Sequence, residues 1–267
     1  MSDRLPVSEY ESVDVLLRVG ASHLRIQAQM PRDPMSLLDL LPLVQSLTDA
    51  LVAAAVREAE QIGHRVSCGP GCGACCRQLV PVSEIEVLYL QDLLNGLPSG
   101  HRVRIEERLD RAMIRLSDAG LLDELRTASH LDSRDARRSL GYRYFRLGIP
   151  CPFLEEESCS IHPHRPLACR EYLVTSPPAT CAEPERGEAQ TLELPRRPSA
   201  VLYRFGDGIG ASPPRWSPLT LFLERSPDCE ARIRQRTLAG HLFLERFLRK
   251  LANTEEEPMV SPDARDP

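Results

Sequence analysis

Hydrophobic positions along this chain follow two periods, and the switches between them mark out its elements. From Val13 to Val19 and again from His23 to Met30, apolar and polar residues partly alternate, with Gly20, Ala21 and Ser22 between the two runs. Period-two runs around such a break predict a β-hairpin over 11–31, although Leu16-Leu17 interrupts the alternation. Pro31 and Pro34 then end the extended segment. Beyond them Leu37, Leu40, Leu41, Val44, Leu47, Leu51, Ala55 and Ala59 fall three or four residues apart, the spacing of one helix face. Ser36 is placed to cap that helix and Gly63 to stop it, so a long helix is expected over 36–63.

Ser83 and Glu86 form a capping box ahead of Ile85, Val87, Leu88, Leu90, Leu93 and Leu94, which predicts a second helix. Charge-rich helical stretches are expected over 102–116 and 133–145. After Pro198 the helical pattern returns, faintly over 201–205 and 219–225. It is strong over 230–251, where Ile233, Leu238, Leu242, Leu244, Phe247, Leu248 and Leu251 line one broad face. C-terminal helices are therefore expected over 198–252. The tail 253–267, with three glutamates and three prolines, reads as disordered. No internal repeat or low-complexity tract stands out. The expected fold class is mainly α with a small N-terminal β-hairpin, and one domain is expected over 1–252.

Length and composition add bounds. With 267 residues and 42% hydrophobic content, the chain has enough apolar surface for a core. A net charge of -5 gives no clear nucleic-acid signal, because the global basic field of such binders is missing. The N-terminus MSDRLPVSEYESVDVLL lacks a basic region followed by an apolar stretch, and no run reaches the roughly eighteen apolar residues that span a bilayer. No membrane association is expected, the expected location is cytoplasmic, and the partner is unknown.

That location changes the meaning of the nine cysteines, since disulfides seldom persist in a reducing compartment. Eight of them fall in two blocks: Cys68, Cys72, Cys75 and Cys76 in CGPGCGACCR, then Cys151, Cys159, Cys169 and Cys181. Cys229 stands apart. The first block directly follows the long helix and precedes the second, in a glycine-rich loop clamped between them. Cys72-Gly-Ala-Cys75 has the two-residue spacer of a metal knuckle, and Gly69, Gly71 and Gly73 let the backbone turn tightly. Redox chemistry of a CxxC dithiol competes with this reading, but the surplus of cysteines favours metal. Adjacent side chains usually diverge, so Cys75 and Cys76 are expected to serve two metals, or two irons of one cluster.

The second block is rich in proline and turn residues, and a loop that long calls for something to pin it. Its spacers of seven, nine and eleven residues contain no second knuckle, which leans away from a zinc ribbon and toward an iron–sulfur centre. His162 and His164 could replace a thiolate, but eight thiols already suffice for two four-ligand sites, and solvated loop histidines are the favoured reading. A thiolate-rich centre carries excess negative charge, and Arg65, Arg77, Arg165 and Arg170 each lie close to a cysteine, where they could compensate it. Pro163 and Pro166 would hold the loop extended before Cys169.

The combination CGPGCGACCR, CPFL and CSIHPHRPLACREY resembles the YkgJ-like cysteine-cluster family of zinc- or iron-chelating proteins, over roughly 68–181. The resemblance implies that Cys68, Cys72, Cys75, Cys76, Cys151, Cys159, Cys169 and Cys181 are the metal ligands. A flagellin lysine methylase is similar in its cysteine motifs. Cys68-x3-Cys72-x2-Cys75 also has the spacing of a radical-type cluster triad, whereas no GxGxxG nucleotide loop occurs. Three functions follow as expectations: a metal-binding protein with an iron–sulfur centre, or with zinc, and redox or group-transfer activity; a zinc-stabilised interaction module without catalysis; and an S-adenosylmethionine-dependent protein-modifying enzyme.

Overall fold

The computed structural model describes residues 10–19, 22–131, 133–187, 189–207, 210, 213–224 and 227–253. The expected hairpin is present as β1 (Tyr10–Val19) and β2 (Ser22–Pro31), paired antiparallel from Tyr10↔Pro31 to Val19↔Ser22. Its turn residues Gly20 and Ala21, and the expected tail beyond Asn253, lie outside the described residues. Alternate residues Val13, Val15, Leu17 and Leu24, Ile26, Ala28, Met30 face the core, and Leu16 is exposed, as is Tyr10 at the start of β1. The broken alternation at Leu16-Leu17 thus costs one exposed leucine and leaves the register intact.

A short strand β3 (Pro34–Ser36) leads into α1 (Leu37–Gln61), capped by Ser36 as expected. Gly63, with φ near 88°, turns the chain away after Ile62. By length and composition α1 is apolar enough to cross a membrane, which the sequence reading did not expect of any segment. Half of its most apolar window is buried inside the protein, and Leu37, Leu40, Leu41, Val44, Leu47 and Leu51 all belong to the largest hydrophobic cluster.

The chain then passes through the first cysteine block to β4 (Pro81–Ser83), α2 (Glu84–Gly96), α3 (Ser99–Asp118), α4 (Leu122–Arg126) and α5 (Arg134–Arg146). The helices expected at 102–116 and 133–145 are therefore present, the first longer at both ends and the second shifted by one residue. The second block is mostly irregular, as its prolines predict, with a miniature hairpin of β5 (Leu154–Glu155) and β6 (Ser158–Cys159) and one helical turn, α6 (Leu167–Glu171). Next come α7 (Pro198–Leu202), β7 (Trp216–Pro218), α8 (Pro227–Gln235), β8 (Thr237–Ala239) and α9 (Gly240–Asn253).

Two expectations fail here. The helix expected over 219–225 is only a 3-10 turn at Leu219–Leu221. The continuous helix expected over 230–251 is broken, because Thr237–Ala239 leaves the helix to pair with Pro34–Ser36. Three residues of ladder give the backbone groups on both sides partners that a continuous helix would have denied to β3.

The break also exposes a repeat that periodicity concealed. β3 pairs with β8 in the register Pro34↔Ala239, Met35↔Leu238, Ser36↔Thr237, and β4 pairs with β7 in the register Pro81↔Pro218, Val82↔Ser217, Ser83↔Trp216. The two ladders superpose in sequence: Pro-x-Ser opens each helix-bearing arm, and Leu-Phe-Leu-Glu follows the partner strand at 221–224 and at 242–245. Both serines cap a helix through a capping box. The copies diverge after their partner strands, where Pro218 leads into a 3-10 turn but Gly240 opens the full helix α9. One copy packs into the cluster of Phe205, Phe243 and Phe247 with α1, and the other lies against Phe153, Ile161 and Phe222, next to Cys151 and Cys159.

Candidate metal centre

The first block leaves α1 along the backbone of the second. The Ser67 amide donates to Val174 O at 2.9 Å, and the Val174 amide donates to Cys68 Sγ at 3.3 Å. The chain then turns through Gly71, with φ near 82°, whose amide donates to Ser158 Oγ at 3.2 Å. At Gly73 a Cβ would stand 2.4 Å from Glu157 Oε2 and 2.9 Å from Leu154 Cδ1, so glycine lets the loop lie flat on the β5–β6 hairpin. That hairpin turns through Glu156 and Glu157, both with positive φ. Ala74–Arg77 forms a 3-10 turn carrying Cys75 and Cys76. The Cys151 amide donates to Cys76 O at 2.7 Å, which joins the two blocks directly.

Together these contacts bring all eight cysteines, Cys68, Cys72, Cys75, Cys76, Cys151, Cys159, Cys169 and Cys181, to the wall of one cavity of about 630 Å³. All are free thiols. Cys229 is elsewhere: it is buried on α8 in the main core and does not line the cavity. His162 lines the rim, whereas His164 is turned away and shares a 2.7 Å hydrogen bond with the Tyr89 hydroxyl through Nδ1.

The thiols influence one another strongly. Contact with the Cys76 thiol, then burial, pushes Cys75 up. Burial pushes Cys151 up to about 12, and it raises Cys68, Cys159 and Cys169, the last also through Cys151, Cys75 and Cys159. Such thiols keep their protons at neutral pH unless a metal displaces them, which is the ordinary chemistry of thiolate coordination. Cys75 and Cys76 sit on one 3-10 turn, near enough for each thiol to feel the other, and both line the cavity. Adjacent sulfurs that face one space suit neighbouring atoms of one centre.

Among the described residues, no three His, Cys, Asp or Glu side chains are gathered tightly enough to hold a single ion as they stand. The fold supplies a ring of soft donors around a space instead. Soft thiol donors suit zinc and iron–sulfur clusters, so the residues present fit either group.

The four arginines separate by environment. Arg77 reaches back to Gly73 O at 2.8 Å and grips Glu157 with two bonds of 2.6 and 2.9 Å. Arg170 is buried, pairs with Asp49 of α1 at 2.6 Å, and donates to the carbonyls of Arg165 and Pro163. Arg65 is exposed. Arg165 alone of the four lines the cavity.

Several supports were not legible in the chain. Glu86, the capping-box carboxylate of α2, also accepts the Leu167 amide at 2.7 Å, two residues before Cys169. Arg108 of α3 holds Pro152 O at 2.8 Å, next to Cys151. Glu171 is buried at the cavity wall and accepts both the amide and the hydroxyl of Ser199, while burial lifts its carboxyl to about 7. The only sequence signal was the charge in ACRE, since Ser199 lies 28 residues further on. Past the sulfurs the wall turns apolar, with Val80, Pro81, Phe153, Ala200 and Leu219.

No curated protein and no solved structure matches the chain. Residues 67–191 match a family model that spans both cysteine blocks, in agreement with the resemblance drawn from CGPGCGACCR and CSIHPHRPLACREY. The model is that of the CxxCxxCC family, described as a putative zinc- or iron-chelating domain, and residues 67–191 are similar to it.

Proposed function

We propose that the eight cysteines bind a polynuclear metal–thiolate centre, an iron–sulfur cluster in preference to zinc, and that the centre carries redox or group-transfer chemistry. The observation that carries this reading is that eight free thiols from two distant blocks line one cavity of about 630 Å³. Such a volume lies in the range of small-molecule sites, roughly 300–1,000 Å³, and exceeds what a four-coordinate ion needs. The adjacent Cys75 and Cys76 in one cavity wall and the absence of a second knuckle in the sequence favour the same reading. Free thiols in this number also favour a reducing compartment, and we assign the protein to the cytoplasm on that ground.

When bound, such a centre supplies electrons or a Lewis-acidic iron. The chain's part is to exclude water with the Phe153–Leu219 wall and to fix the sulfurs through the Cys76–Cys151 and Ser67–Val174 backbone bonds. Protein purified without oxygen is expected to be brown, with iron and sulfide in stoichiometric amounts by elemental analysis. Colourless protein with stoichiometric zinc under the same conditions would replace this reading with that of a zinc-stabilised interaction module.

A second reading, an S-adenosylmethionine-dependent modifying enzyme, is favoured by the Cys68-x3-Cys72-x2-Cys75 spacing and by the apolar space beyond the sulfurs. Reduced, cluster-loaded protein should then cleave S-adenosylmethionine, and an intact cluster without cleavage would dispose of it.

A further inference from the structure

Of the four arginines beside the cysteines, Arg77 and Arg170 are engaged with carboxylates and carbonyls and Arg65 is exposed, which leaves Arg165 as the one that lines the thiol cavity. Its Nε is shut off from solvent and has no hydrogen-bond partner, and among the described residues no carboxylate lies within ion-pair distance of its guanidinium. A buried guanidinium hydrogen without an acceptor is costly, and native structures seldom keep one unless something absent from the protein chain accepts it. The cavity it lines is the thiol cavity.

Its placement is built rather than incidental. The Arg165 carbonyl accepts Arg170 Nε at 2.9 Å, and Arg170 is itself anchored to Asp49 of α1. Pro166, buried at the next position, restricts the backbone of Arg165 to an extended conformation, with φ -58° and ψ 147°. Thus Arg170 and Pro166 hold the backbone that sets Arg165 in the wall of the thiol cavity.

We propose that Arg165 is the internal counter-charge of the metal–thiolate centre, a positioning residue that donates its Nε–H to a metal-bound sulfur and so governs how tightly the metal is held and which charge state is favoured. The proposal rests on the metal-centre reading above. A hydrogen bond to coordinating sulfur favours the more negative state of a cluster and raises its reduction potential.

The test compares wild-type protein, Arg165→Gln, Arg165→Lys and Arg77→Gln, each loaded with metal without oxygen. The readouts are the rate of metal loss to a chelator and, for iron, the midpoint potential. Arg165→Gln is expected to lose metal roughly 10- to 100-fold faster and to have a more negative potential. Arg165→Lys should recover most of the retention, which a purely structural role for the guanidinium would not give. Arg77→Gln, which frees the loop from Glu157, should loosen metal without moving the potential. If Arg165→Gln retains metal and potential as the wild type does, the proposal is overturned while the metal-centre reading stands. If wild-type protein takes up neither iron nor zinc, both fall together.

Discussion

The two short ladders that bear α1 and α2 are built from the same parts and used for different ends. In each, Pro-x-Ser pairs in the same register with a partner strand, and the serine caps the helix that follows. Around Ser36 the box is closed by Asp39, which is exposed, and its carboxylate reaches only Ser36, at 3.2 Å from the amide and 2.7 Å from the hydroxyl. Around Ser83 the box is closed by Glu86, 1% exposed, with one oxygen 2.8 Å from both the Ser83 amide and its hydroxyl. The extra methylene of glutamate leaves the second oxygen free to accept the Leu167 amide. A local device for starting a helix has become the tie between α2 and the loop that presents Cys169. Burial raises the Glu86 carboxyl, and the hydrogen bonds from Leu167 and Ser83 oppose that shift.

The largest effect is expected where the tie is cut. Glu86→Ala leaves a buried amide at Leu167 without an acceptor, at about 1–3 kcal/mol, and removes half of a capping box, at about 1 kcal/mol. A fall in thermal midpoint should be accompanied by lower metal content, because α6 carries Cys169. Glu86→Gln retains an oxygen for Leu167 and should recover much of the loss. If Glu86→Ala costs no more than removal of Asp39, the contrast between the two corners collapses.

Next in size is the contrast between cysteines of the two regions. Cys169→Ser removes a thiol from the cavity and should lower metal content and thermal midpoint together. Cys229→Ser, in the core that packs on α1, should leave metal content unchanged. Equal metal loss in both variants would show that the ligand set has been misassigned.

Much of this contrast was half visible in the chain. Capping boxes, the periodicity of α1 and α2 and the cysteine blocks depend on neighbours within a few residues, and all were legible. What was not legible depends on distant pairing. Nothing near Thr237 signals that Pro34–Ser36, some two hundred residues earlier, needs a partner; the apolar residues Ile233, Leu238 and Leu242 continue a helical spacing across the break. The repeat was missed for the same reason, since one copy is nested inside the other, with first arms at 34 and 81 and second arms at 216 and 237. At the site, the chain marked four arginines alike, and only the fold separates the two staples, Arg77 and Arg170, from the one that lines the thiols.

The smallest effect sharpens the comparison most. Asp39→Ala removes the carboxylate from the box at α1, where the Ser36 hydroxyl still accepts the Asp39-position amide and water can reach the freed Ser36 groups. An exposed cap partner of this kind is worth about 0.5–1 kcal/mol, a shift of a few degrees at most in a chain of this size. Metal retention, measured with the chelator assay, should be that of the wild type, because among the described residues no backbone bond runs from this corner to either cysteine block. A matching loss of metal in Asp39→Ala would mean that the core around α1 and the cysteine loops unfold as one unit, and that the second oxygen of Glu86 is a detail of packing rather than the link that holds Cys169 in place.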